Sequence, residues 1–576
     1  MGLLISIFKH KRYVIFLNFS FLLVACVFLI IQFNSLEILD LRISELSNDR
    51  GDQQDCKNLQ SVGDYKAKCR YLKSHGPCVT EGYIDYLHLF YCNFGSVPFL
   101  GHFLLFLWLL VLFYLLGNTA SEYFCSSLEN LSGLLRLSPI IAGVTLLSLG
   151  NGAPDVFASL VSFMGSGTCD VGFNTVLGGA SFITCVVVGV ISILVKQKEI
   201  RVNKNAFVRD VCFFLIVLAT LGFILLHGQI SLWNAIGFLS MYIFYVIIVY
   251  CSDMLWSNNG GKISKTDANL SYGSDLSIPI LCSMEKGEVN CSEEGGLESV
   301  DAGVEMKQSC FCLQLSSPYH MLLVILEMPL YLPRRLTIPV VCEEKWSKPT
   351  AVASVTLAPV LLSVLWNPHD ENSSFKNSMV VYGIGFLFGV TFGVLAYATT
   401  EKASPPKKCL LPWLAGGFLM SVVWSYLIAQ ELVALLVSMG SIFQVSPSIL
   451  GLTVLAWGNS LGDLITNLTM ALNSGPEGAQ VAISGCYAGP IFNILFGLGL
   501  SLVGSAWYQY PSPVVITRDP YLLETLTFLV ASLLWALMIL PSRKMRLDGV
   551  LGGGLLVIYL VSMSTRIIQT LGSLQF

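Results

Sequence analysis

Apolar residues in this chain come in long unbroken blocks separated by short polar interruptions, not at the two- or three-to-four-residue spacing of a half-buried strand or helix. A helix that crosses a bilayer needs about 20 mostly apolar residues. Thirteen stretches qualify, near 13–33, 98–117, 138–164, 171–195, 211–227, 231–251, 350–366, 379–398, 410–440, 446–472, 479–505, 523–541 and 548–566. Charge, Gly, Pro or Asn bounds each of them, which sets the expected helix ends. The pattern predicts an all-α polytopic membrane protein with about thirteen transmembrane helices.

Two long polar segments, 34–97 and 252–349, divide the pattern. They suggest an N-terminal unit, 1–97, with an anchor or targeting helix and a Cys-containing extramembrane stretch. A first half follows at 98–251, then a polar regulatory connector at 252–349, an extra helix pair at 350–409 and a second half at 410–576. The connector is rich in Ser, Gly and Glu from Ser271 to Gln308, and Ser264, Ser271 and Ser274 are candidate sites for a regulatory kinase. The stretch 321–342 is too interrupted by Pro329, Pro333, Arg334 and Arg335 to span, and is expected to lie on the membrane interface.

Basic residues orient the chain. Lys9, Lys11 and Arg12, then Lys196 to Arg209, then Lys402, Lys407 and Lys408, then Arg543, Lys544 and Arg546 form four loop clusters, and threading thirteen helices puts all four on one side. Segment 34–97 then falls opposite. Its Cys56, Cys69, Cys78 and Cys92 permit two disulfides in an oxidising compartment, in any of three connectivities.

Composition sharpens this picture. Of 576 residues 54% are hydrophobic and only 12% charged, with a mean hydropathy of +0.68. Soluble domains carry about 25% charged residues, so a soluble enzyme is excluded and membrane lipid is the surrounding solvent. A net charge of −4 offers no basic excess for nucleic acid. No phosphate loop or HExxH argues for a membrane-embedded enzyme.

The chain contains an internal repeat. Ser138 to Asp155, SPIIAGVTLLSLGNGAPD, aligns at an offset of 308 with Ser446 to Asp463, SPSILGLTVLAWGNSLGD, with nine of eighteen positions identical. The expected topology runs the two copies in opposite directions, the inverted plan of secondary transporters, whose sites lie at the midplane where repeats meet. A calcium channel more often builds its carboxylate ring from repeated subunits.

Each copy buries one Asp in an apolar helix, at a cost of about 2.5–3.5 kcal/mol if unpartnered, and neither repeat helix carries Lys or Arg. A cation is the natural partner. Asn151 shares a helix face with Asp155, as Asn459 does with Asp463. Gly150, Gly152, Gly458, Gly462 and Pro154 should weaken the helices and free carbonyls such as those of Ser148 and Ala456. With Ser460 and, from the following helix, Asn493, these are hard oxygens in a number that suits calcium better than Mg2+. No His lies in the repeats and the nearest Cys lie outside their cores, which disfavours a soft metal.

GNGAPD at 150–155 and GNSLGD at 458–463, each followed by a helix of small residues, resemble the paired alpha repeats of the calcium/cation antiporter superfamily. The Asn/Asp form resembles its cation/calcium exchanger branch, and the long connector is similar to that of mitochondrial sodium/lithium/calcium exchangers. The resemblance implies an inverted-topology five-plus-five exchanger core with Asp155 and Asp463 as its paired acids. Asn151, Gly152, Asn459, Ser460 and Asn493 match its neutral ligand positions, and Gly152 and Ile183 depart from side-chain ligands found elsewhere in the superfamily. It further implies Ca2+ exchange for Na+, with Li+ tolerated, no cofactor, and an inner mitochondrial membrane. Protons are the alternative counter-ion, since two aspartates can take up two of them. Plasma or reticular membranes stay open. Glu431, in the ninth apolar stretch, is a further candidate for gating, packing or ligation.

Overall fold

The computed structural model describes, besides a few isolated positions, residues 63–74, 82–127, 148–164, 169–196, 200–260, 330–341, 346–366, 375–402, 410–473, 475–516 and 520–573. The expected first helix at 13–33, the start of the first repeat at 138–147, Cys56, Cys78 and most of the connector lie outside them.

Among the described residues eleven helices are long and apolar enough to cross a membrane, and a shorter apolar one, Gly152–Met164, carries the first repeat motif. After α1 (Tyr65–Ser74) and a helical turn at Tyr86–His88, α2 runs from Pro98 to Thr119 and continues through a π-helical turn, Ala120–Cys125. Helix α3 is Ser148–Met164. Helix α4 (Cys169–Ser181) passes through a π turn, Phe182–Val187, into α5 (Val188–Leu194). Helices α6 (Lys204–His227) and α7 (Leu232–Gly260) complete the first half, and α8 (Lys348–Trp366) and α9 (Phe375–Thr399) pack as a pair. In the second half α10 is Leu410–Phe443. A turn at Pro447–Leu450 and a π turn at Gly451–Leu455 lead into α11 (Ala456–Asn473). Helix α12 (Gly475–Phe492) passes through the π turn Asn493–Leu498 into α13 (Gly499–Gln509), and α14 (Pro520–Ser542) and α15 (Gly549–Ser573) follow.

Local chemistry sets these boundaries. Asn203 caps α6 by accepting from the backbone N–H groups of Asn205 and Ala206, and α6 stops where Gly228 turns left-handed at φ 73°. The chain then forms β1 (Gln229–Ile230), which pairs antiparallel with β2 (Val514–Val515) of the other half.

Each half embraces the other's motif. Helix α3 packs on the π turn Asn493–Leu498 of the second half, and α11 packs on the π turn Phe182–Val187 of the first. One apolar core joins α4–α7 to α12–α15; a second joins α2, α3 and α10 to the segment around Tyr86–Tyr91.

The motif helices are continuous: α3 runs through Pro154, and α11 through Gly458 and Gly462. The distortions sit instead in π turns before or after the motif. In the stretch 321–342, where described, Arg334 is 2% exposed and donates to Asn118 Oδ1 (2.6 Å) and Thr119 Oγ1 (3.0 Å) at the end of α2, and to Leu330 O (3.0 Å) of its own segment. A buried guanidinium demands such partners, which the interrupted sequence pattern alone did not reveal.

Candidate cation-binding site

Asp155 lies on the buried side of α3, two turns into the helix, and is 2% exposed. Both of its oxygens are held from the opposite half. Asn459 Nδ2 donates to Oδ1 at 3.0 Å and Asn493 Nδ2 donates to Oδ2 at 2.7 Å. A donor on each oxygen suits the ionised acid, which can only accept.

The donated protons leave the other ends of those amides open. Asn459 Oδ1, Asn493 Oδ1 and Ser460 Oγ are all buried without a hydrogen-bond partner. Buried oxygens in that state cost about 1–3 kcal/mol each, and the three near one carboxylate form a candidate set of hard cation ligands. Ser460 Oγ belongs to the same pocket: a Cβ placed on Gly179 of α4 would lie 3.3 Å from it and 3.4 Å from Asp155 Oδ2.

Gly152 contributes room. A Cβ there would collide with Asn493 Oδ1, so the glycine admits the amide that reaches across from the second half. Asp463 follows Asn459 by one turn of α11 and is partly buried. Ser148 and Ala456 begin α3 and α11, and Ala456 is fully buried. Asn151 lies in α3; its side chain falls outside the described residues. Pro154 lacks the N–H that would bond the Gly150 carbonyl, and Pro490 does the same for Cys486. Among the described residues no three His, Cys, Asp or Glu gather as a metal cluster.

Two serines escaped the sequence reading. Ser159 Oγ lies 2.7 Å from Ser501 Oγ, and Ser501 donates to Gly497 O at 2.8 Å, one turn beyond the pocket. Their signal was the spacing: Ser159 follows Asp155 by four residues, and Ser501 follows Asn493 by eight. Glu431 is not in the pocket. It accepts from the Tyr86 hydroxyl and from Tyr83 N–H (2.8 Å), and Trp108 Nε1 donates to Tyr86 at 2.8 Å, so this acid docks the extramembrane segment onto α10. A Cys69–Cys92 disulfide ties the same segment to α1.

A membrane-spanning bundle whose two halves close around a buried carboxylate and open oxygens defines an ion transporter of the secondary type. The chain belongs to the sodium/calcium exchanger protein family, whose profile matches residues 105–251 and 413–568; it is accordingly a transporter and not an enzyme. It is 58% identical to cation/calcium exchanger 2 of Arabidopsis thaliana, over 90% of this chain and 92% of that one. Cation/calcium exchanger 1 of the same plant is 49% identical, covering 91% of each chain. The mitochondrial sodium/calcium exchanger protein of Rattus norvegicus is 30% identical over 88% of each. Among solved structures, the sodium-calcium exchanger NCX_Mj matches 80% of this chain and 98% of its own, at 14% identity and a TM-score of 0.35.

Proposed function

We propose that the chain moves Ca2+ across its membrane in exchange for monovalent cations, by alternating access around Asp155 and Asp463. The carrying observation is Asp155 of one half held by Asn459 and Asn493 of the other, with the carbonyl ends of both amides open. Asn151, Gly152, Ser460 and the carbonyls near Ser148 and Ala456 complete the oxygen set in this reading.

Charge drives the exchange. With both aspartates ionised the vacant site carries two negative charges, and moving them through a low-dielectric barrier is unfavourable. One Ca2+ or two monovalent cations cancel that charge, so only loaded sites cross. Rocking of the halves then returns counter-ions for calcium. Na+ is the counter-ion this geometry favours, with Li+ tolerated, because the two amide donors suit an ionised Asp155. Protons are the second reading, resting on the two carboxylates that could carry them.

Vesicle flux decides between these. Calcium movement driven by a sodium gradient at clamped pH supports the first reading; movement driven by a pH gradient without sodium supports the second. The rat relative's name carries a mitochondrial placement and the Arabidopsis names carry none. The Cys69–Cys92 bridge favours an oxidising compartment on its side of the membrane.

A further inference from the structure

Beyond Asp155, α3 stays in contact with the second half turn by turn. Ser159, one turn after Asp155, has its Oγ 2.7 Å from Ser501 Oγ of α13 and 3.3 Å from the Gly497 carbonyl. One turn further, Ser505 Oγ donates to the Phe163 carbonyl at 2.9 Å. Gly497 permits this approach, since a Cβ there would lie 3.1 Å from Val156. A third contact joins other helices of the two halves: Arg566 of α15 donates at 3.2 Å to Asn174 Oδ1 of α4, a turn and a half before Gly179, which borders the pocket. Helix α4 begins where α3 ends, so all three contacts lie on one side of the ion site. Along α3 the two serine contacts fall about 6 and 12 Å beyond Asp155, at 1.5 Å per residue.

Serines between membrane helices also serve simply as small residues that let backbones approach. Two features exceed that role. Every one of these contacts joins one half to the other, and the side chains have a second partner within their own half. Ser501 donates to the Gly497 carbonyl of its own span at 2.8 Å. Asn174 Nδ2 donates to Asp170 O at 2.8 Å, and the Arg566 guanidinium lies 4.4 Å over the Tyr521 ring of α14. Ser159 and Ser505 follow Asp155 and Ser501 by one turn, where a serine hydroxyl reaches the carbonyl four residues back in its own helix. Separating the halves therefore strands no buried polar group. A permanent joint has no use for such alternatives, whereas a joint that opens and closes needs them, because a buried donor left without a partner is costly.

We propose that these contacts form a releasable latch between the halves, which closes the cation site toward the face where α3 ends and opens to admit ions from that face. In this structure the latch is shut: Ser159 and Ser501 are fully buried, and Asn174 and Arg566 are buried with them. Each hydrogen bond in it shifts the balance between shut and open by about fivefold, enough to favour one state without trapping it. The inference rests on exchange through motion of the two halves, as proposed above.

The test uses the full-length chain in proteoliposomes. Ser159 and Ser501 stand close enough for cysteine replacements to be bridged. In Ser159→Cys/Ser501→Cys, a small membrane-permeant oxidant should abolish sodium-driven calcium flux and a reductant should restore it, with the bridge verified by peptide mass spectrometry. Wild type and the two single variants, given the same oxidant, control for the native cysteines, and recovery on reduction shows that the double variant is folded. A bridged protein that transports as fast as its reduced form would overturn the proposal, since the contact would then be static packing. A second measurement needs no cross-link. Ser501→Ala should lower the KM for Ca2+ presented at the latch face by up to about fivefold, because more of the protein is open there, without lowering the KM at the opposite face; Ser501→Thr should restore it. Equal shifts at both faces, or a change in maximal rate alone, would also overturn it. Failure of the exchange reading looks different: wild type itself would then show no counter-ion-driven calcium flux.

Discussion

Asn493 Nδ2 donates to Asp155 Oδ2 at 2.7 Å across a sequence separation of 338 residues, and this contact joins the second half's π turn to the first half's motif helix. It is possible because position 152 is glycine. A single amide thereby orients the acid, leaves its own oxygen unpaired beside it, and ties the two halves together.

Removing either acid should abolish exchange. Asp155→Asn and Asp463→Asn each take away one of two charges that balance Ca2+, and leaving a buried charge without its partner costs about 3–5 kcal/mol. Sodium-driven calcium flux is expected to fall more than a hundredfold in each variant, on the order of that cost, while the detergent-solubilised protein keeps its monodisperse profile.

Glycine substitutions separate space from flexibility. Gly152→Ala places a methyl where Asn493 Oδ1 sits and should lower flux by at least about tenfold, as expected for overpacking of about 1–3 kcal/mol. Gly462→Ala, in the matching motif, meets nothing within 4 Å and should leave flux near wild type. Equal losses in both would point to backbone flexibility instead.

Asn493→Asp tests the charge count. A third carboxylate would raise the vacant site's charge from two negative to three, so the site loaded with Ca2+ or with two monovalent cations keeps one negative charge; each crossing step, and with it the rate, should become sensitive to membrane potential although the full cycle still moves no net charge. Flux is measured in vesicles clamped with potassium and valinomycin. Wild type should ignore the clamp and the variant should respond.

Glu431 and the disulfide should matter for stability more than for ion selectivity. Glu431→Gln weakens the acceptor for the Tyr86 hydroxyl and Tyr83 N–H, a loss of about 1.5–3 kcal/mol for bonds to a charged group. Reduction of Cys69–Cys92, which closes a loop of 23 residues, should cost about 3 kcal/mol. Thermal unfolding with and without reductant reads both effects. A change in the ratio of sodium- to lithium-driven flux would return Glu431 to the ion path.

The sequence pattern made the helices and the paired motifs legible because each is local: a run of apolar residues, or an Asn and Asp one turn apart. It also singled out Asn493, whose polarity stands out in an apolar helix. What it could not reveal depends on packing between distant segments. Gly152 read as a ligand position, yet its lack of a side chain matters only once Asn493 arrives from the other half. The partners of Arg334 stayed hidden because nothing nearby in sequence shows Asn118 and Thr119 waiting for it. Ser159 and Ser501 look unremarkable singly and acquire meaning only as a pair. Of four cysteines with three possible connectivities, geometry alone selects Cys69 with Cys92.

A high-resolution structure of the protein in Ca2+ tests the shared pocket most directly. A single cation density should lie about 2.3–2.6 Å from carboxylate oxygens of both Asp155 and Asp463, with Asn459 Oδ1, Asn493 Oδ1 and Ser460 Oγ turned toward it. Calcium bound elsewhere, or touching only one of the two acids while the other faces lipid, would contradict a site built jointly by the two halves.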